Sequence, residues 1–436
     1  MSEQPPSNLI KRILSSLGPA IITASVVLGP GSILASSKVG YYFSYEMIWV
    51  LISAVIMMVA MTALSARLGI QLDGTICDEL AKRAGRPVAA ATGLILFLMA
   101  ACFQFSNNLG VLAAVEPFMG SSNADILIII GMNIFIMLAL YGFKHLYTIT
   151  EKLMKILVGI MLIAFAINLF MVKPDWLATI KGFIPSLPEG LSDMLLPKWN
   201  SGTEKVEDPI VPIVALYATT FSVAGAFYQS YLVRQKGWTR YNLKQGLIDS
   251  TVGISVLGLV TLMVMITAAK VLYQNPNVTS INSLVDVAKS LEPGFGTFGV
   301  IIFSLGIFAG AFSSFLVNAM IGGSVLSDGF GKGGYIDEKW PKLFTVAALV
   351  TGMIVAIYTK TMGQSPVALI IFAQSLTVLG VPMLAIAMLW LATRSDMQGE
   401  NAIPFWMKFL GFIGLISSVI LALRKAYTLL LPIISG

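Results

Sequence analysis

Charge is scarce in this chain: Asp, Glu, Lys and Arg make up 11% of its 436 residues, and histidine occurs once, at His145. A soluble domain carries about a quarter of charged positions, so a water-exposed globule is excluded. Cysteine is almost missing too. Of the two, Cys77 falls in a polar stretch and Cys102 in an apolar one, which rules out a bridge between them and any zinc or thiol-redox pattern. The apolar runs contain no cluster of His, Cys, Asp or Glu with metal-ligand spacing. Nor is there a phosphate-cradling loop or a grouping of nucleophile, base and oxyanion donors, so no enzyme reading is supported and no cofactor is expected. The net charge of +6 does not point to nucleic acid, because the basic residues sit between apolar runs, where they act as topology signals.

What is abundant is hydrophobic sequence, at 56% of the chain. Its apolar runs are each long enough, at roughly 20 residues, to cross a bilayer, and about eleven can be placed. They cover residues 14–42, 46–68, 88–115, 126–143, 153–172, 209–233, 247–272, 296–326, 343–358, 367–392 and 405–423. The expected fold is an all-α integral membrane protein forming one transmembrane domain over residues 1–436. A polar connection at 173–208 divides the spans five against six, which suggests a repeat over 13–172, a second over 209–392, and an extra helix at 404–423. The first ten residues are polar and Lys11 and Arg12 precede the first span, so the N-terminus is expected in the cytoplasm of a cell (inner) membrane. The loops after spans two, four, six, eight and ten then hold roughly twice the basic residues of the others; Arg424 and Lys425, at the end of the last span, oppose this weakly.

The chain is organised around an interruption of its first apolar run, Leu28-Gly29-Pro30-Gly31-Ser32. A second, Ser222-Val223-Ala224-Gly225-Ala226, falls in the sixth run. Backbone groups freed at a break inside a membrane must find partners in protein or around a cavity, and matched breaks in two halves point to an inverted-repeat transporter with its site at midplane. The expected non-helical segments are 29–31 and 223–225, facing each other. Helices starting near Gly31 and Gly225 would aim positive dipole ends at the site, with the hydroxyls of Ser32 and Ser222. Glycine and serine also serve simply to let helices pack closely, but two matched breaks favour a site.

Ionisable residues inside the spans are few. Lys38, two turns past the first break, either attracts an anionic group at the outer approach or extends its ammonium to the interface. Asp249 lies near the inner end of the seventh span. Gln104, Asn107 and Asn108, Ser313 and Ser314, and Gln374 and Ser375 either line a path or form interhelical hydrogen bonds.

These residues resemble the Nramp family of metal-ion transporters, a branch of the leucine-transporter-like fold. The resemblance rests on Gly29-Pro30-Gly31 followed by Gly40, Phe43-Ser44-Tyr45 and Trp49-Val50-Leu51, and on the run from Gly182 to Pro188. It continues with Ser230-Tyr231-Leu232-Val233, Ala309 to Ser314, and Gln374-Ser375-Leu376 leading to Gly380. It implies ten spans in two inverted repeats plus one, and alternating access. The departures fall on the functional residues. The family's Asp-Pro-Gly-Asn stands here as Gly29-Pro30-Gly31-Ser32, its Met-Pro-His falls on Ser222-Val223-Ala224, and its Asp-x-x-Glu proton pair falls on Asn107 and Gly110. Only the glutamine survives, as Gln374. Ser313 and Ser314 also resemble a pair that helps hold sodium in relatives of the wider fold, which makes sodium a candidate coupling ion.

The reading that follows is a secondary transporter lacking the family's metal ligands and moving a small polar or anionic organic solute. Gly29, Ser32, Ser222, Gly225 and Gln374 would bind it, Asn107 and Lys38 would line its path, and no residue would ligate a metal. The alternative is a divalent metal ion, Mg2+- or Mn2+-like, held partly hydrated; a non-transporting sensor is a further one. The partners expected are the lipid bilayer and a small-molecule or ion substrate. The oligomeric state is left open, a monomer being compatible with the sequence.

Overall fold

The computed structural model describes residues 18–119, 124–188, 195–200, 205–276, 278, 281, 284–289, 292–362, 370, 373, 376–399 and 402–435. The side chains of 205, 285, 289, 292–295 and 435 are outside that description. Proline opens several helices, where its missing N-H is no loss. Pro19 begins α1 (Pro19–Val27) and Pro30 begins α2 (Pro30–Phe43), and the two axes meet at 56°. α3 (Ile48–Gln71) follows. Then comes a short helix, α4 (Ile76–Ala84), whose first turn is closed reciprocally by Thr75 and Asp78. The remaining spans of the first half are α5 (Arg86–Met119), α6 (Ala124–Gly142) and α7 (Leu146–Val172).

The polar connection has structure of its own. It holds the one-turn helix α8 (Trp176–Lys181) and an antiparallel hairpin of β1 (Lys198–Asn200) and β2 (Lys205–Glu207), with Trp199 opposite Val206. Beyond it come α9 (Val211–Thr220) and α10 (Val223–Gln235), then α11 (Leu243–Leu272). α12 (Leu284–Lys289) precedes α13 (Glu292–Gly329), which is kinked at Gly296, where φ is 61°. The chain ends with α14 (Lys339–Thr361), α15 (Val381–Ala392) and α16 (Phe405–Ser435). Nine of these described spans are long and apolar enough to cross a bilayer, or ten with the bent α1–α2 pair. α15 is shorter, and part of the tenth expected span lies outside the described residues. The last helix runs beyond the expected residue 423 to Ser435.

Burial ranks the spans. The run Val211–Gln235 has 83% of its apolar window inside the protein, against 22% for Phe405–Ile434, so the interrupted span is central and the last is at the rim. α13 packs most heavily on α5, and α11 joins α2 to α3. Two glycines set close approaches at the centre. A Cβ on Gly110 would overlap the Pro30 ring, and one on Gly310 would sit 2.5 Å from the Leu28 carbonyl, so α5 and α13 can press against the first break only without side chains there.

The loops sort to two ends. At one, Arg83 pairs with Asp396, Thr75 donates to Asp328 at 2.6 Å, Arg234 donates to the Leu72 carbonyl at 2.8 Å and Lys236 holds Glu151. At the other, the Trp49 indole donates to the Ser186 carbonyl at 3.0 Å and Lys360 pairs with Asp125. Arg424 makes a bidentate pair with Asp208, at 2.5 and 2.7 Å, within the connection. Its charge is matched locally, so it is no longer a topology signal.

A candidate substrate site between two broken helices

The first break is two residues long. Leu28 (φ −76°, ψ 34°) ends α1 and Gly29 (φ −80°, ψ 175°) is the extended residue before Pro30. The second falls on Phe221 (ψ 66°) and Ser222 (ψ 86°). Both lie slightly before the expected positions. Pro30 and Gly31 already belong to α2, and Val223 to Gly225 are the first residues of α10, not the break. The reason for the second shift is local: the Ser222 hydroxyl accepts the Gly225 N-H at 3.4 Å, so serine caps the helix and glycine sits in its first turn. The bend at this break stays below 40°.

The two breaks face one small cavity of about 10 Å³, room for roughly one water molecule. Gly29, Gly31 and Ser32 line it from the first break, and Thr219 and Ser222 from the second. Asn107 and Phe103 close it from α5, and Ser314 from α13. Gly29, Ser32, Ser222, Asn107 and Ser314 are thus brought together. Gly225 is not among the lining residues and packs beside Thr23 instead. Ser313 is not either; its hydroxyl donates within its own helix to the Gly310 carbonyl at 3.1 Å. Lys38, half-buried two turns further along α2, does not line the cavity. Gln374 and Ser375 lie outside the described residues.

Every polar atom the lining residues offer is neutral. The Ser32 hydroxyl is buried and has no hydrogen-bond partner among the described residues. Asn107 donates its amide to Gln104 Oε1 at 3.2 Å. Its carbonyl oxygen stands 3.4 Å from where a Gly29 side chain would begin. Ser314 donates to the Val26 carbonyl at 2.9 Å and accepts from Asn318 at 2.8 Å, which ties α13 to the end of α1. The expectation of two converging positive dipole ends is half of what the fold builds. Val26 and Val27 bring the C-terminal end of α1 to the same cavity, and Thr219 that of α9, so each break presents a carbonyl end beside an N-H end. Among the described residues no group of three or more His, Cys, Asp or Glu is placed to hold a metal.

Other polar residues hold the helices together. Gln104 donates to the Phe315 carbonyl at 2.7 Å and Asn133 to Asn108 at 2.7 Å, which bind α5 to α13 and to α6. Asp249 accepts the Gly18 and Ala20 N-H groups at 2.6 and 2.9 Å, capping the far end of α1. Gln229, which sequence reading passed over, accepts from Thr23 at 2.7 Å and reaches Asp249 at 3.5 Å. Thr219 and Phe103 were also missed. Thr219, three residues before Ser222 in an apolar run, was the one signal available for them.

Two interrupted helices facing a shared cavity, within a bundle of about ten spans, define a membrane transporter of the leucine-transporter-like fold. The structure of the Eremococcus coleocola manganese transporter, in complex with an aromatic bis-isothiourea substituted compound, aligns with a TM-score of 0.76 at 18% identity, over 99% of this chain and 90% of that one. The profile of natural resistance-associated macrophage protein-like proteins matches residues 20–428, and the chain belongs to this Nramp family. Among curated relatives, the divalent metal cation transporter MntH of Klebsiella pneumoniae (strain 342) is 24% identical over 406 residues, 92% of this chain and 91% of its own. That of Deinococcus radiodurans is 24% identical over 417 residues, covering 95% and 89%.

Proposed function

We propose that this chain is a divalent metal ion transporter that takes a hard, partly hydrated dication such as Mg2+ through a neutral, oxygen-lined site. The expectation of an organic solute is not supported, because the relatives are named for metal transport. The observation that carries the proposal is the Ser32 hydroxyl, buried without a partner among the described residues beside Asn107, Ser222 and the carbonyl ends of α1 and α9. Such a set has oxygen donors alone, with no sulfur or imidazole. Soft or borderline transition metals gain most from those missing ligands, whereas Mg2+ prefers oxygen and keeps several of its waters. Gly29 supplies no ligating side chain, and Ser314 Oγ stands 2.6 Å from where one would begin.

Transport would proceed by rocking of the broken helices against the remaining spans, with the basic-rich loop end in the cytoplasm of a cell membrane. Ser314 and the Val26 carbonyl are the pair through which a sodium ion would act, without Ser313. The test is uptake into proteoliposomes with a panel of Mg2+, Mn2+, amino acids and sugars, with and without a sodium gradient. Saturable Mg2+ uptake, lowered about tenfold in affinity by Ser32→Ala, is expected, as for the loss of one neutral ligand. Uptake of an organic solute and of no dication would refute the proposal.

A further inference from the structure

An amide side chain can turn either of two ends to a cavity. Its oxygen attracts a cation and its NH2 group repels one, and the two ends are nearly the same size, so the surroundings must choose between them. Asn107 is the one amide side chain lining the cavity between the breaks among the described residues. What chooses its orientation lies one turn back on α5, at Gln104, which does not itself line the cavity.

The choice begins at a main-chain group that can bond in only one sense. The Phe315 carbonyl of α13 accepts and cannot donate, and Gln104 Nε2 donates to it at 2.7 Å. The NH2 end of Gln104 is therefore fixed on α13, and its Oε1 faces the other way. That oxygen also only accepts. It takes the Asn107 Nδ2 at 3.2 Å, so the NH2 end of Asn107 is fixed in turn and its Oδ1 is left for the cavity. Oδ1 accepts no hydrogen bond from any described residue and stands 3.4 Å from where a Gly29 side chain would begin. Reversing Asn107 would set its oxygen against Gln104 Oε1, and reversing both would set Oε1 against the Phe315 carbonyl.

The pair has little room to rearrange. Gln104 and Asn107 are both buried, and a Cβ on Gly352 would overlap Gln104 Cβ, so α14 presses directly on this turn of α5. The next amide cannot stand in. Asn108 donates to the Gln104 main-chain carbonyl at 2.8 Å and accepts from Asn133 of α6 at 2.7 Å.

We propose that Gln104 is the positioning residue that makes this cavity select cations, by holding the Asn107 amide with its oxygen toward the ion. The inference rests on the reading of the cargo as a dication. A tie between helices would require of Gln104 only the Phe315 bond. The second bond, to Asn107 on the same helix, passes the polarity of the α13 carbonyl on to the site.

Mg2+ uptake into proteoliposomes by Gln104→Met, made alone and together with Asn107→Asp, tests the proposal. Methionine keeps the length of glutamine without its amide, so nothing holds the Asn107 NH2 end back. KM for Mg2+ should rise about tenfold, with Vmax changed by less than about twofold. A carboxylate has an oxygen at either end and needs no orienting, so beside Asn107→Asp the same change should move KM by less than about twofold. A Gln104 that only ties helices together would shift KM alike in both backgrounds, and that result would overturn the proposal. So would a KM that Gln104→Met alone leaves unchanged. Gln104→Leu gives the same comparison if Gln104→Met does not fold. Wild-type uptake separates the two readings: a protein that carries Mn2+ and not Mg2+ refutes the hard ion, while the comparison made with Mn2+ still decides the role of Gln104. Uptake of an organic solute and of no dication would overturn both.

Discussion

A missing side chain at position 29 is linked to a hydroxyl at position 314. A Cβ built on Gly29 would stand 2.6 Å from Ser314 Oγ and 3.1 Å from Ser314 Cβ. Gly29→Asp alone is therefore expected to overpack the break and cost about 1–3 kcal/mol of stability, read as a lower Tm. Adding Ser314→Gly removes the obstruction. With Ser32→Asn and Ser222→Met as well, the site would gain a carboxylate, an amide and a sulfur around one point, and Mn2+ should bind with micromolar affinity by calorimetry. The wild-type protein should show no submicromolar Mn2+ binding. A tight wild-type signal that disappears in Ser32→Ala would show that neutral oxygens suffice, and the preference for hard ions would be wrong.

At the scale of elements, the far end of α1 depends on one acid. Asp249 accepts two N-H groups of that end, and Gln229 links it to Thr23 one turn further. Asp249→Ala would leave the Gly18 and Ala20 N-H groups buried and unpaired, at a cost of about 1–3 kcal/mol. Amide hydrogen exchange over residues 18–28 should quicken relative to α3; an unchanged pattern would mean that packing alone holds α1. The loop helix α4 gives a pH effect of known sign. Burial by itself would raise the Glu79 carboxyl, but its hydrogen bonds and ion pairs with Lys82 and Arg83 hold it below its ordinary value of 4.5. A depressed carboxyl contributes stability that is present above the unfolded value and lost as the pH falls through the folded one. Melting of the wild-type protein should therefore fall more steeply below pH 4.5 than that of Glu79→Gln. Parallel curves would show that Glu79 is not the group responsible.

For the whole molecule, transport should be nearly independent of a pH gradient. The resemblance puts the family's proton pair on Asn107, which lines the cavity, and on Gly110, which packs on Pro30. The resemblance puts the family's histidine on Ala224, and His145 lies in the α6–α7 turn, far along the chain from either break. Acidification of proteoliposomes driven by Mg2+, and abolished by Ser32→Ala, would contradict this. The sequence by itself determined the membrane class, nearly all the spans and the two interruptions, because each follows from local composition: apolar length, and Gly, Pro or Ser where the helix stops. Ser32, Asn107 and Ser222 were legible for the same reason, as polar residues in apolar runs. Only the tertiary structure decided which of them meet. Ser313 bonded within its own helix while its neighbour Ser314 reached Val26, and the carbonyl ends of α1 and α9 came to the cavity with the N-H ends. Those outcomes depend on the rotation of each helix about its axis, which is set by contacts between segments hundreds of residues apart.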